Sequence, residues 1–455
     1  MGSTGARISR YGIWTQHVWI FWMNTNNDAL PASVPWQSMY LVLSVTMIAA
    51  AVFFGRRASA SRSPIVDTLA AACAAAATLA AAAASFFPNA AFLSAAALVV
   101  GAMGFGVLYL SWGDFYSKIG VKRSVAYLFG GGMIAAFVKT VLEALPDPIA
   151  AIAAACIPFL SLVMCRAASA DAPPPSGGAA FFTAQNIPAL WKVAAVFVVF
   201  SIANASMLSL QPPYESVGGM PSFVAERALE FALCAGVLVY VFKLRKSFDF
   251  VQLWRIVLLI LATDFLVNIL NPGSAFQPFF AGVSLNFIVL FVWLVLADVS
   301  HCSNVPPILV FGIGWSCYTL PFFVGSLIVI LGGFTVQSTG YFAVLMYAVA
   351  LTAAFLLETR DQNTRRIFLD LDENAHAAPE DFTSIDQRCA DIGRKRGLTA
   401  REIEVMQMLC KGRSKAYIAE TLFVTENTVK GHAKRLYTKL DVHSKKELQQ
   451  LVDAY

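Results

Sequence analysis

Between residues 38 and 357 the chain alternates apolar runs of about 20 residues with short polar breaks, and that run length lets an α-helix cross the ~30 Å hydrocarbon layer of a bilayer. The runs cover 38–54, 65–87, 90–112, 124–144, 149–165, 190–208, 224–242, 251–270, 279–297, 308–331 and 341–357. Each predicts a transmembrane helix. The Ala-rich run 65–87 holds neither a Pro nor a central charge, so in lipid it is a helix as well. One earlier segment, 11–23 (YGIWTQHVWIFWM), is apolar but short, and Gln16 and His17 interrupt it. It reads either as an irregular first span over 11–24, giving about twelve spans, or as a Trp-rich interfacial segment, leaving eleven. Arg7 and Arg10 ahead of it favour the span with a cytoplasmic N-terminus, and the polar interruptions count against a cleaved signal peptide.

The basic residues fall in alternate loops: Arg56, Arg57 and Arg62, then Lys118, Lys122 and Arg123, then Arg166, then Lys243, Arg245 and Lys246. The loops between these carry no Lys or Arg, so the positive-inside bias puts the C-terminus in the cytoplasm. The expected location is a bacterial cytoplasmic (inner) membrane, with lipid as the first partner. Composition agrees: 58% hydrophobic, 13% charged and a mean hydropathy of +0.64 describe a chain mostly in lipid. A net charge of +5 does not by itself indicate nucleic-acid binding, since basic cytoplasmic loops give the same sign. The eight cysteines are scattered, with no CxxC pair and no His at zinc-ligand spacing, so no metal site is expected. Nor does any phosphate loop, cofactor fingerprint or nucleophile–base pair stand out, which argues against an enzyme.

From residue 358 the pattern changes. Residues 358–397 are polar and charged and read as a cytoplasmic linker, and 398–455 read as four short amphipathic helices. Thr399 and Glu402 form a capping box for a helix through Val405, Met406 and Leu409. Ser414 starts a second helix, Thr425 a third from Glu426 to about Lys439, and Ser444 with Glu447 a fourth through Leu448, Leu451 and Val452. On the third helix Val429, Leu436 and Leu440 make an inward stripe, while Lys430, Lys434 and Arg435 make a basic face suited to a DNA major groove. His432 is read as a packed structural residue.

The motifs Leu398-Thr399-x-Arg401-Glu402, Gly412-x-Ser414, Ile418-Ala419, Leu422, Thr428-Val429-Lys430-x-His432, Lys439-Leu440-x-Val442 and Glu447-Leu448 resemble the LuxR-type helix-turn-helix domain almost end to end. The resemblance implies double-stranded DNA as partner, with base contacts at Lys430, Gly431 and Lys434 and phosphate contacts at Ser414, Thr425 and Thr428. Gly431 departs from the family in lacking a side chain, and one base contact is expected to be missing with it. It implies a homodimer through the fourth helix (Leu448, Leu451, Val452), and RNA polymerase counts among the expected partners. The membrane part, with six spans on each side of the Pro- and Gly-rich stretch 173–178, resembles the major facilitator fold in layout. Its loop Gly113-Asp114-Phe115-Tyr116-Ser117-Lys118-Ile119-Gly120-Val121-Lys122-Arg123 is similar to that family's signature loop, but Ser117 stands where Asp is expected, and the loop follows the fourth span in place of the second. The fold class expected for the whole chain is all-α.

Charged residues inside spans are costly and usually face a cavity or a partner. Lys139, Glu143, Arg227, Glu230 and Asp264 fall at similar outer depth. They define either a polar pocket for an unknown small-molecule ligand or a set of snorkelling side chains with one or two internal ion pairs. Two functions follow: a one-component sensor whose membrane bundle controls promoter binding, and a transporter with a regulatory DNA-binding tail. The degraded signature loop and the lack of a complete set of proton-relay acids favour the sensor.

Overall fold

The computed structural model describes residues 8–26, 37–55, 64–87, 90–172, 191–210, 219–244, 259–260, 262–267, 269–270, 277–303, 305–335, 340, 343–344, 347–348, 389–390, 392–410, 418–419, 422, 424–442, 447–448 and 451–452. The chain forms two compact units, a large one within residues 1–373 and a small one that holds Asn374–Tyr455. Both are built of helices, as the sequence predicts.

In the large unit the helices are α1 Trp14–Thr25, α2 Ser38–Gly55, α3 Pro64–Ala84, α4 Ala91–Ser117, α5 Val121–Glu143, α6 Asp147–Ala170, α7 Trp191–Ser209, α8 Gly219–Val239, α9 Gln277–His301 and α10 Pro307–Leu331. Among the described residues seven helices are long and apolar enough to cross a membrane, namely α2 to α6, the 282–301 part of α9, and α10. The expected runs 251–270 and 341–357 lie largely outside the described residues. α8 overlaps its expected run, 224–242, and carries Glu226, Arg227 and Glu230 close together in its first half. Each spanning helix buries one side in the bundle and leaves another apolar. Val45, Val52, Phe53, Leu79, Phe137, Ile152 and Val163 stand out from the bundle, as lipid-facing positions do.

The N-terminal helix α1 is short but enclosed by the bundle. Twelve residues rise only about 18 Å at 1.5 Å each. Yet Thr15, Gln16, His17, Val18, Trp19, Trp22 and Met23 are all buried. Gln16 donates from Nε2 to Ser161 Oγ on α6 at 2.8 Å, and Trp19 Nε1 donates to Thr78 Oγ1 on α3 at 2.8 Å. Gln16, one of the two polar residues that interrupt its hydropathy, is thus an inter-helix tie, which in lipid replaces the missing water. Small residues let other helices come close. A Cβ at Gly104 of α4 would strike the Ala70 carbonyl oxygen of α3, and one at Gly325 of α10 would strike that of Ile202 on α7.

The small unit has its own core of Cys389, Ile392, Leu398, Val405, Met406, Leu409, Ile418, Ala419, Val429, Ala433, Leu436, Leu440, Val442, Leu448 and Val452. Its two fully described helices are α11 Ala400–Cys410 and α12 Glu426–Leu440.

Candidate nucleic-acid interface and buried polar cluster

The capping box forms as the sequence predicts: the Thr399 amide donates to Glu402 Oε2 at 2.8 Å, and the Glu402 amide donates to Thr399 Oγ1 at 3.3 Å. Lys439 on α12 then donates to the same Glu402 Oε2 at 2.8 Å and to the Gly397 carbonyl at 3.1 Å. Gly397 sits at φ +65, a left-handed conformation that suits glycine before the helix. These bonds pin α12 to the start of α11.

Thr425 caps α12: its Oγ1 accepts the Thr428 amide at 3.2 Å and lies 2.9 Å from the Thr428 hydroxyl. Asp441 ends the helix in the left-handed region at φ 55. Thr425→Ala should therefore lose about 1 kcal/mol of domain stability in a denaturant titration. An unchanged midpoint would show that the cap does not hold the helix start. Val429, Ala433, Leu436 and Leu440 point inward, and Thr425, Thr428, Lys430, Lys434 and Arg435 are exposed. The expected DNA-facing side is therefore free of the domain core. Ser414 lies outside the described residues.

Asn427 is a residue the sequence reading missed. It is exposed three and four positions before Lys430 and Gly431, on the stripe that continues to Lys434. An amide side chain there is of the type that pairs with an adenine edge, and its i, i+3 spacing from Lys430 was the signal. Beside Gly431, Arg435 Nε donates to the Gly431 carbonyl at 3.3 Å, and its guanidinium lies 4.0 Å from where a Cβ would stand. His432 is half-buried, with no partner for its buried Nδ1 among the described residues, and it belongs to the scaffold. Leu448 and Val452 are buried in the domain's own core, and Leu451 is only partly covered.

In the membrane unit Lys139, Arg227 and Glu230 come together, and Glu226, which the sequence reading left out, joins them. Lys139 Nζ lies 3.4 Å from Glu230 Oε1 and donates to Asn286 Oδ1 at 3.0 Å. The Arg227 guanidinium pairs with Glu230 Oε2 at 2.7 Å and with Glu226. Phe21 lies 5.7 Å from the Lys139 ammonium and 5.6 Å from the Arg227 guanidinium, with Phe223 at 5.1 Å from the latter. Two cations and two anions cancel, as a group this deeply buried requires. All four side chains are at most 5% exposed, so the cluster is closed. Glu143 is exposed and adds its charge to the field at Arg227. Asp264 belongs to a different network, accepting from Ser284 Oγ at 3.4 Å, which itself accepts from Asn204 Nδ2 at 2.8 Å. Glu226 was legible in principle as an acid four positions before Glu230 on one helix face.

Comparison with known proteins identifies the C-terminal domain: residues 396–452 match the family described as "Bacterial regulatory proteins, luxR family". Over 51 residues the chain is 45% identical to the oxygen regulatory protein NreC of Staphylococcus haemolyticus (strain JCSC1435), covering 11% of this chain and 24% of that protein. NreC of Staphylococcus epidermidis (strain ATCC 12228 / FDA PCI 1200) is 43% identical over the same length, or 23% of its own. The chain thus spans about a quarter of the length of the curated relatives it matches. The crystal structure of a Major Facilitator Superfamily transporter, FucP, in the outward conformation is similar at 13% identity and a TM-score of 0.48, covering 78% of this chain and 99% of that one. With seven described helices long and apolar enough to cross a membrane and the family match over residues 396–452, the chain joins a polytopic helical membrane unit to a LuxR-type helix-turn-helix domain.

Proposed function

We propose that this protein is a one-component transcriptional regulator of a bacterial cytoplasmic membrane, in which the membrane bundle receives a signal and the cytoplasmic domain from about residue 398 binds promoter DNA as a dimer. The observation that carries this reading is the exposed basic stripe of α12, with Asn427, Lys430 and Lys434 on one face and Thr425 and Thr428 at its N-terminus. Phosphates favour a helix N-terminus, and Lys and Asn reach base edges in the major groove. Lys430 and Lys434 read bases, with Asn427 added to the set. Thr425, Thr428 and Arg435 hold phosphates, and Ser414 is assigned to the same role from the sequence alone. Leu451, the least covered of the three fourth-helix positions, centres the dimer contact.

The bundle acts as a sensor and not as a carrier in this reading. Its charged cluster is already neutralised internally, and its signature loop has Ser117 in place of the family's Asp. Transcript profiling of wild type, a deletion strain and a Lys430→Ala/Lys434→Ala strain with confirmed membrane expression tests this. The double variant is expected to reproduce the deletion profile. Wild-type transcripts in that strain would overturn the DNA-binding assignment, and a partial phenotype would point to transport by the bundle.

A further inference from the structure

The bundle also holds a column of aromatic rings that joins α2, α4, α9 and α10. Trp293 of α9 sits 5.1 Å from Tyr109, 5.6 Å from Tyr116 and 5.3 Å from Trp315, centroid to centroid. From Trp315 the column continues through Tyr318 at 5.8 Å to Phe322 at 5.9 Å, and from there to Tyr40 of α2 at 4.6 Å. Edge-on and tilted ring pairs at these distances are favourable. Apolar packing alone would account for the column if its rings were all phenylalanine.

The polar atoms are what packing leaves unexplained. Tyr116 Oη, Trp315 Nε1 and Tyr318 Oη are buried and have no hydrogen-bond partner among the described residues; Trp293 Nε1 lacks one of proper geometry as well, although the Tyr109 hydroxyl lies close by. The four residues are at most 2% exposed. Two other deeply buried indoles of the bundle behave differently: Trp19 donates to Thr78 at 2.8 Å and Trp112 to Ser161 at 3.0 Å. Buried donors are nearly always satisfied, so several orphans on one contiguous surface mark a place where another molecule supplies the acceptors. An indole N–H only donates, so that molecule must carry oxygen or nitrogen acceptors. The column itself is made of neutral rings, which favour a flat, uncharged partner.

We infer that this column is the ligand site of the sensor, and that its ligand is an uncharged planar aromatic compound bearing carbonyl or hydroxyl oxygens. The inference rests on the sensor reading above and names a second place in the bundle, apart from the Lys139 cluster. A ring inserted between two others needs about 7 Å between their centres, twice the ~3.5 Å carbon contact distance. The present 5.1–5.8 Å spacings are too tight. Binding therefore wedges α9 and α10 away from α4. α10 is suited to yield, because Pro321 within it lacks the amide that would bond the carbonyl one turn back.

The test is equilibrium binding to the purified full chain in lipid nanodiscs, using 4-hydroxyacetophenone, 2-naphthol and phenol as probes and ethylbenzene and cyclohexanol as controls. At least one oxygenated aromatic is expected to bind saturably, with ethylbenzene and cyclohexanol at least about tenfold weaker. Tyr318→Phe keeps its ring and removes one donor, Trp315→Phe removes one donor and also shrinks the ring, and each should weaken binding about fivefold. Trp19→Phe, at a satisfied indole, should leave probe affinity unchanged. In probe-free melts Trp315→Phe should destabilise less than Trp19→Phe, because both lose the same ring volume and only the second also breaks a bond. Three results would overturn the inference: no saturable binding by any probe, equal affinity in wild type and both donor variants, or a Trp315→Phe destabilisation as large as that of Trp19→Phe, which would mean that a buried water satisfies the indole. The measurement uses no DNA, so failure here leaves the Lys430/Lys434 result standing, and failure there leaves this one standing.

Discussion

Arg227→Ala is expected to destabilise the membrane bundle by about 3–5 kcal/mol, read as a lower unfolding midpoint of the full chain in detergent or nanodiscs. The guanidinium bonds both Glu226 and Glu230. Without it two carboxylates, 0% and 2% exposed, lose the cation they share inside the bundle. That is the costly case for a buried ion group, unlike its wholesale replacement. Changing Lys139, Glu226, Arg227 and Glu230 together to apolar residues of similar size should therefore cost far less than Arg227→Ala alone. If the single and the fourfold variant melt alike, the cluster is not the coupled unit described.

The second large effect is in the DNA-binding domain and depends on pH. Burial alone would raise the Glu402 carboxyl, but the Lys439 ammonium and the bonds from Thr399 outweigh it and hold the group at about 2, below its ordinary 4.5. A depressed pKa in the folded state stabilises above the unfolded value, so this contribution is complete above about pH 4.5 and disappears as pH falls toward 2. The Lys439 side chain is 37% exposed, so solvent screening reduces the effect to about 1–2 kcal/mol. Glu402→Ala should lose about 2 kcal/mol at neutral pH, since it removes both the ion pair and half of the capping box. Because the described core of the domain lies within residues 389–452, a fragment 374–455 suits a urea titration between pH 5 and 2. Wild type should lose 1–2 kcal/mol more than Glu402→Gln across that range. Parallel profiles would show that the Lys439 bond contributes nothing.

The N-terminal segment shows where reading from sequence stops. Its shortness and its polar interruptions at Gln16 and His17 were visible, but not their cause. Only the packing shows Gln16 bonded to Ser161, a residue 145 positions away, so that the interruption serves inter-helix attachment. Asp264 and Lys139 likewise sit at similar depth in the sequence pattern yet end in separate networks, because depth is fixed by position along one helix and partnership by rotation about it. For Leu448 and Val452 the limit is of another kind. An amphipathic stripe is the same whether it faces its own core or a second copy, and here it fills the core.

By itself the sequence determined the helical membrane runs, the break in character near residue 358, both Thr-based caps and the outward basic face of α12. Each of these follows from the period of a single helix or from hydrogen bonds three or four residues apart. The tertiary structure alone decided that Glu226 completes a neutral quartet with Lys139, Arg227 and Glu230, and that rings from α2, α4, α9 and α10 line up in one column in which Tyr116 Oη, Trp315 Nε1 and Tyr318 Oη have no hydrogen-bond partner among the described residues. Those arrangements join residues as far apart as Tyr40 and Phe322, about 280 positions, and the angle at which one helix packs on the next sets them.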